Sequence, residues 1–237
     1  MANIALLIAG GAGARMHQNI PKQFLTVNER PVIVYTLGAF QQHPKIDEIA
    51  VVCIHGWEPV LLAYADQFNI TKLKYVVPGG ENGQESIKNG VFELEKHYKD
   101  DDIVLIHDAI RPLVSAEIIS DCIRVTQLYG NAVTVIPCAE AMLQTEDGIT
   151  SDRSCSRDHL KRTQTPQGFR LGQICDLHGK ALKMGITNSV ASCTLMIQLG
   201  EQVHFSAGSE KNIKLTTVED IDIFKALLIA KRSDWLK

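Results

Sequence analysis

Short β-branched apolar runs alternate along the chain with longer segments whose apolar residues recur every three or four positions. The runs are Ile4 to Ile8, Ile49 to Ile54, Lys74 to Val77, Ile103 to His107 and Ala132 to Ile136. Each is short and apolar, as a strand covered on both faces must be. Between them, Val32 to Phe40, Glu58 to Gln67, Glu85 to Tyr98 and Ala116 to Tyr129 carry helical spacing. The alternation predicts an α/β fold with a mostly parallel central sheet, helices on both faces and right-handed crossovers. From about Cys138 to Thr163 the pattern changes, with Thr145-Glu-Asp-Gly148 as a turn signal between two polar, strand-like limbs that hold few core residues. A β-arm projecting from the domain at about 138–163 is expected there. Ser189 to Leu199 and Val218 to Ala230 read as closing helices, and Glu219 and Asp220 fall in the first turn of the last one, where the helix dipole favours acids.

The chain has 237 residues, of which 45% are hydrophobic, enough for one sizeable α/β domain over 1–237. A net charge of −3 with scattered basic residues gives no nucleic-acid surface, so any phosphate binding must be local. Six cysteines at 53, 122, 138, 155, 175 and 193 form no C-x-x-C pair and read as reduced thiols of a cytoplasmic protein. The N-terminal apolar stretch lacks a preceding basic region and is cut by glycines and Arg15, and no run approaches membrane-spanning length. Neither secretion nor membrane insertion is expected.

The candidate chemistry lies just past the apolar runs, where open parallel sheets bind ligands. After the first strand come Ala9, Gly10, Gly11, Ala12 and Gly13, then Arg15 and, past a spacer, Pro21-Lys22-Gln23. Glycines let backbone N–H groups wrap an anionic phosphate chain, with Arg15 and Lys22 supplying positive charge. The spacing matches neither the dinucleotide fingerprint nor the P-loop, which favours a nucleoside triphosphate bound in another way. The plainer reading is a tight strand-to-helix turn. A second glycine segment, Pro78 to Ser86, offers Gly79 and Gly80 for close approach and Ser86 for a base or sugar edge, or is an ordinary capped turn. In Ile106-His-Asp-Ala-Ile-Arg-Pro112 a strand delivers Asp108 to its open end. That carboxylate can hold Mg²⁺ on triphosphate oxygens while Arg111 grips a phosphate, or the two can close a turn as an ion pair. Lys211 to Lys214 reads as the polar end of a late strand that returns a lysine to the phosphates. His107 points to the opposite sheet face from Asp108 and reads as a hydrogen-bonded structural histidine. No G-x-S-x-G or paired Cys–His context appears, which steers the chemistry away from covalent catalysis.

Taken together, these segments resemble the CTP-dependent cytidylyltransferase family that includes the 2-C-methyl-D-erythritol 4-phosphate and ribitol-5-phosphate cytidylyltransferases. The matching segments are Ala9 to Met16, Pro21-Lys-Gln23, Gly79-Gly80 with Ser86, His107 to Pro112, Arg157 with Gln164-Thr-Pro-Gln167, and Asn212 to Thr216. They run in the family's order over nearly the whole chain. The resemblance implies a Rossmann-like nucleotidyltransferase fold and a homodimer whose arms embrace. It implies that Arg15, Lys22 and Lys214 are catalytic cations and that Gly80, Glu81 and Ser86 sit at the nucleotide. Asp108 would hold magnesium, and Arg111, Thr165, Lys214 and a partner arm's Arg157 would surround the acceptor phosphate. The implied partners are CTP and a small polyol phosphate, with transfer of CMP and release of pyrophosphate.

Three departures bear on the acceptor. Glu140-Ala141 stands where the family commonly has Asp-Thr, Gly83 where it has arginine, and Thr187-Asn-Ser189 where it has an acidic stretch. They favour a straight-chain polyol phosphate such as ribitol 5-phosphate over methylerythritol phosphate as acceptor. Two rivals are a nucleotide-binding regulatory protein without catalysis and a sugar-1-phosphate nucleotidyltransferase using UTP or dTTP. The retained Asp108, Arg15, Lys22 and Lys214 speak against the first, and the paired Gln-Thr-Pro-Gln and His-Asp-x-x-Arg-Pro segments against the second.

Overall fold

A computed structural model of the chain describes residues 1–11 and 20–230. Strand β1 (Asn3–Ala9) enters the glycine segment. A 3-10 turn at Lys22–Phe24 and a small ladder of β2 (Thr26–Val27) and β3 (Arg30–Pro31) then lead into α1 (Val32–Gln42). The alternation continues through β4 (Glu48–Cys53), α2 (Glu58–Gln67), β5 (Leu73–Pro78), α3 (Gly83–Glu95), β6 (Ile103–Asp108), α4 (Ala116–Tyr129) and β7 (Asn131–Pro137). After these come the short β8 (Met142–Gln144) and β9 (Arg153–Cys155), the long β10 (Lys161–Arg170), α5 (Leu171–Lys183), α6 (Ser192–Gln198), β11 (Phe205–Ala207) and α7 (Val218–Ala230).

The central sheet has the order β11-β7-β10-β6-β1-β4-β5. β1 pairs in parallel with β4 and β6, β4 with β5, and β7 with β11; β10 runs antiparallel between β6 and β7. The mostly parallel sheet is therefore present, with one reversed strand in its middle.

The two-residue period of the strands sorts their side chains onto two cores. Ala5 and Leu7 of β1, Ile49 and Val51 of β4, and Ile103 and Leu105 of β6 join one cluster with residues of α1, α2 and α4. Ile4 and Leu6, Ala50 and Val52, and Val104 and Ile106 join the other, with residues of α3, α5 and α6. The same alternation carries the next two residues of β6 apart. His107 is fully buried on the α1 side, its ring 5.1 Å from that of Phe40. Asp108 emerges on the α3 side, as the sequence predicts.

Four expectations are corrected. The segment Lys211 to Lys214 is an irregular loop rather than a strand end. Its position is set by Leu215, which is buried beside Val27, Val32, Ile110 and Phe224 and whose N–H donates to the Ile110 carbonyl at 2.9 Å. Asp220, at the start of α7, accepts hydrogen bonds from the Thr216 and Thr217 amides and fixes the far end of this loop. The closing helix read from Ser189 begins only at Ser192. The arm is shorter than 138–163: β8 and β9 form a separate two-stranded ladder, whereas Lys161 to Thr163 pair with β7 in the main sheet. Finally, the helix read as Glu85 to Tyr98 starts at Gly83 and ends at Glu95. At the arm's tip Asp147 accepts from the Ile149 and Thr150 amides, both at 2.8 Å, which orders the predicted Thr145–Gly148 turn.

α5 and β11 lie outside the predicted elements. All six cysteines are free thiols, and Cys155 is the one that is not buried. Among the described residues no helix is long and apolar enough to cross a membrane.

Candidate active site

Three chain segments meet at the carboxyl ends of β1, β5 and β6. At β1, the Ala9 carbonyl and the Gly11 carbonyl both accept from Gln23 Nε2, at 2.6 and 3.1 Å. Gln23 is 1% exposed, so the start of the first glycine segment is clamped from beneath by a buried amide. Lys22, beside it, opens the 3-10 turn. Ala12, Gly13 and Arg15 lie outside the described residues.

The second glycine segment packs against the first. A Cβ on Gly79 would lie 3.2 Å from both the Gly10 Cα and the Cys53 carbonyl oxygen, so the two loops touch backbone to backbone. Gly80 is more constrained still, since a Cβ there would fall 2.3 Å from Glu85 Cγ and 2.9 Å from the Glu85 carbonyl carbon. Ser86 Oγ accepts from the Gly80 amide at 3.0 Å, and Glu85 Oε2 accepts from the Glu81 amide at 2.8 Å. Asn82 caps α3 by accepting from the Glu85 amide. Ser86 thus shapes the loop with its lone pair. The capped-turn reading of this segment is realised.

At the end of β6, Asp108 lies between two cations. Arg111 Nε donates to Asp108 Oδ2 at 3.0 Å, and Lys214 Nζ stands 3.2 Å from each carboxylate oxygen. The Asp108 side chain is 21% exposed, that of Arg111 11% and that of Lys214 42%. Burial acts to raise the Asp108 pKa, but Lys214 and Arg111 outweigh it and hold the carboxyl below its ordinary value. Arg111 Nη1 donates to the Asn212 carbonyl at 2.7 Å, which ties the Lys214 loop to the strand end. These groups border a cleft of about 290 Å³ whose wall also includes Ile8, Gly83, Thr165 and Ser192. Gly83, the position of the expected family arginine, meets nothing within 4 Å of a built Cβ, so the cleft is open on that side.

The Gln164-Thr-Pro-Gln167 segment supports this cleft from β10. Gln164 joins the Ser209 carbonyl and amide at 2.9 and 3.2 Å, and its Oε1 accepts from Asn212 Nδ2. Gln167 accepts from the Cys193 amide at 3.1 Å and donates to its sulfur at 3.4 Å, which seats the start of α6. Thr165 Oγ1 accepts from the Asp108 amide at 3.0 Å and lies 3.1 Å from His107 Nδ1, while His107 Nε2 is 3.2 Å from the Arg111 carbonyl. The bond between Thr165 and Pro166 is cis.

Two groups are therefore brought together, Gly10, Gly80 and Ser86 where the glycine segments touch, and Asp108, Arg111, Thr165 and Lys214 around the cleft, with Ala9 and Gly11 held by Gln23 and Glu81 by Glu85. Arg157 is not among them: it lies in a 3-10 turn of the arm and donates to the Ala139 carbonyl at 3.1 Å. Gln23, Gln164, Gln167 and Asn212 received no individual role from the sequence reading, yet each is buried and hydrogen-bonds the backbone that shapes the site. Their signal was compositional: buried amides are rare unless their hydrogen bonds are satisfied. The segment Thr187 to Ser189, another departure, is tied to α3 because Gln84 donates to the Ile186 carbonyl and accepts from the Ser189 amide, both at 2.6 Å.

Burial lowers the pKa of His107 and of His178 to about 4 each. An unfolded histidine takes its proton near pH 6.5, so between pH 6.5 and 4 the unfolded chain binds more protons than the native one. Stability is then fully present above pH 6.5 and is lost as pH falls through this window. The expected loss between pH 7 and pH 5 is about 2 kcal/mol per histidine. Urea unfolding at the two pH values measures it, and His178→Gln should flatten the dependence; equal stabilities in the wild-type chain would contradict the assignment.

The sequence model of the family described as 2-C-methyl-D-erythritol 4-phosphate cytidylyltransferase (IspD) matches residues 3–230. The chain is 44% identical to a ribitol-5-phosphate cytidylyltransferase of Lacticaseibacillus paracasei, over 96% of its own length and 98% of the relative's. It is 38% identical to a 2-C-methyl-D-erythritol 4-phosphate cytidylyltransferase of Clostridium botulinum, over 95% and 97% of the two chains. Its fold superposes with a TM-score of 0.82 on the crystal structure of a 4-diphosphocytidyl-2C-methyl-D-erythritol synthase of Anaerococcus prevotii, at 25% identity and covering 96% of each chain.

Proposed function

Because the chain belongs to the 2-C-methyl-D-erythritol 4-phosphate cytidylyltransferase (IspD) family and is a CTP-using nucleotidyltransferase, we propose that its acceptor is ribitol 5-phosphate and its product CDP-ribitol. The observation that carries the site assignment is the Asp108 carboxylate held between Arg111 and Lys214 beside the two glycine segments. An acceptor phosphate oxygen attacks the α-phosphorus of CTP in line; a new P–O bond forms as the bond to the bridging oxygen breaks, and pyrophosphate leaves. No protein nucleophile is required.

The chain's own groups supply position and charge. Arg15 and Lys22 supply the charge that holds the triphosphate, and Gly80, Glu81 and Ser86 hold the cytosine end. Arg111 and Lys214 face the acceptor phosphate, joined by Arg157 from a partner subunit's arm. The donor that Mg²⁺ would meet is the Asp108 carboxylate, 21% exposed at the wall of the cleft. Magnesium takes one or two carboxylates and completes its shell with phosphate oxygens and water. Asp108 would hold it, and the ion neutralises triphosphate charge when bound.

Three further points belong to this reading. The homodimer is supported by Met142, Leu143 and Ile149, apolar side chains exposed on the arm where a second copy would cover them. A cytoplasmic location is supported by the free thiols and by the need for CTP. The preference for ribitol 5-phosphate is supported by the 44% identity to the Lacticaseibacillus relative and by Ala141, which has no hydroxyl to offer at the root of the arm.

The second reading, methylerythritol 4-phosphate as acceptor, is favoured by the family description and the Clostridium relative. Pyrophosphate release with CTP and a panel of ribitol 5-phosphate, methylerythritol 4-phosphate, glycerol 3-phosphate and arabinitol phosphate separates them. The expected result is a kcat/KM for ribitol 5-phosphate at least about tenfold above the others, which is about 1.4 kcal/mol of discrimination in the transition state. Preference for methylerythritol 4-phosphate would replace the first reading with the second. Silence across the panel with tight CTP binding would favour the regulatory rival.

A further inference from the structure

A closed ring of hydrogen bonds surrounds the tip of β6. The Arg111 carbonyl can only accept, so its 3.2 Å contact with His107 Nε2 places the imidazole proton on that nitrogen. A fully buried imidazole with no carboxylate hydrogen-bonded to it stays neutral, which leaves Nδ1 as an acceptor. The hydroxyl 3.1 Å from Nδ1 is that of Thr165, and it must donate. The same oxygen accepts from the Asp108 amide at 3.0 Å. Arg111 Nε then returns to Asp108 Oδ2 at 3.0 Å, and the Arg111 amide donates to the Asp108 carbonyl at 3.0 Å, so the ring closes through a tight turn.

This circuit has a chemical consequence for Thr165. Its single hydroxyl proton is committed to the imidazole, so it has none to donate to a phosphate oxygen. We infer that Thr165 and His107 are coupled positioning residues, which act through the backbone of Asp108 and Arg111 to aim the carboxylate and the guanidinium, and that Thr165 is not a direct phosphate contact. Misaiming reacting groups by a fraction of an ångström lowers the rate of the bound complex more than it weakens binding.

The kinetic test rests on the proposed reaction, using whichever acceptor the wild-type enzyme turns over. Thr165→Val keeps the volume and loses the hydroxyl, whereas Thr165→Ser keeps the hydroxyl. The expected result is a kcat lowered about tenfold to a hundredfold in Thr165→Val, with the acceptor KM unchanged and activity retained in Thr165→Ser. His107→Gln should show a similar loss, and the double variant should be no worse than either single change, because one circuit has been cut twice. A raised acceptor KM at constant kcat in Thr165→Val, or fully additive losses, would overturn the inference.

A second readout does not depend on any substrate. In long-range proton–nitrogen NMR spectra of the wild-type chain at pH 7, His107 should be the Nε2-protonated tautomer. It should remain so in Thr165→Ser and in Thr165→Val, because the Arg111 carbonyl still accepts from Nε2, but the Nδ1 resonance should shift in Thr165→Val alone, where its hydrogen bond is lost. An Nδ1-protonated wild-type ring would sink the circuit even if the kinetic assignment of the enzyme stood. The expected tautomer in a chain that turns over no acceptor would fault only the proposed function.

Discussion

Lys22→Ala is expected to remove turnover with CTP while leaving the fold intact. Lys22 opens the turn whose next residue, Gln23, clamps the Ala9 and Gly11 carbonyls with its side-chain amide, so the turn is tied to the glycine segment right beside Lys22. In the proposed reaction a cation at this position would face charge that grows on the α-phosphate and the departing pyrophosphate. Removing one such preorganised contact typically costs about a hundredfold to a thousandfold in kcat. The side chain is only partly buried and Phe24, which packs on Trp57 at 4.8 Å, is untouched, so the melting temperature should move little. Lys22→Arg keeps charge but not the compact ammonium geometry and should recover only part of the rate. Steady-state pyrophosphate release beside thermal unfolding makes the measurement, and near-normal rates in Lys22→Ala would remove that lysine from the machinery.

The second large effect belongs to Asp108→Asn. The substitution is nearly isosteric, but it removes the charge that Arg111 and Lys214 share and the carboxylate proposed to hold Mg²⁺. The kcat should fall about a hundredfold or more, since two electrostatic contacts to the reacting phosphates are disturbed together. CTP affinity should also lose most of its dependence on magnesium concentration. Stability should drop modestly, because Arg111, 11% exposed, keeps its bond to the Asn212 carbonyl after losing its counter-charge. Activity within tenfold of wild type, with an unchanged magnesium titration, would dismiss Asp108 as the metal ligand.

How much of this could be read beforehand depends on the physics of each element. β1, β4, β6 and β7 were legible because both of their faces are buried, which makes the sequence a continuous apolar run. β10 was not, although it lies in the middle of the sheet. Lys161-Arg-Thr-Gln-Thr-Pro-Gln-Gly-Phe-Arg170 buries Gln164 and Gln167, whose partners Ser209 and Cys193 come from distant segments. A strand that satisfies its buried polar groups through tertiary contacts shows no apolar period to find. α5 does carry an apolar stripe of Leu171, Ile174, Cys175, Leu177 and Ala181, but Gly172, Gly179 and the buried His178 interrupt it. β11 spans three residues, too few for a pattern.

The site followed the same division. Asp108 and Arg111 were visible because a strand end followed by a turn places them by local geometry alone. Lys214 was expected at the end of a strand; it reaches Asp108 from a loop positioned by Leu215 and the Ile110 carbonyl instead. The roles of Gln23, Gln164 and Asn212 required the tertiary structure, because each acts through backbone groups far away in sequence. His107 was legible as a structural histidine by the strand period; its link to Thr165 was not.

Phosphorus NMR of the wild-type enzyme mixed with CTP, ribitol 5-phosphate and magnesium should show pyrophosphate and a pyrophosphate-linked cytidine–ribitol product appearing in equal amounts as both substrates disappear. Persistence of CTP and ribitol 5-phosphate unchanged, with the enzyme folded and CTP bound, would contradict the proposed reaction.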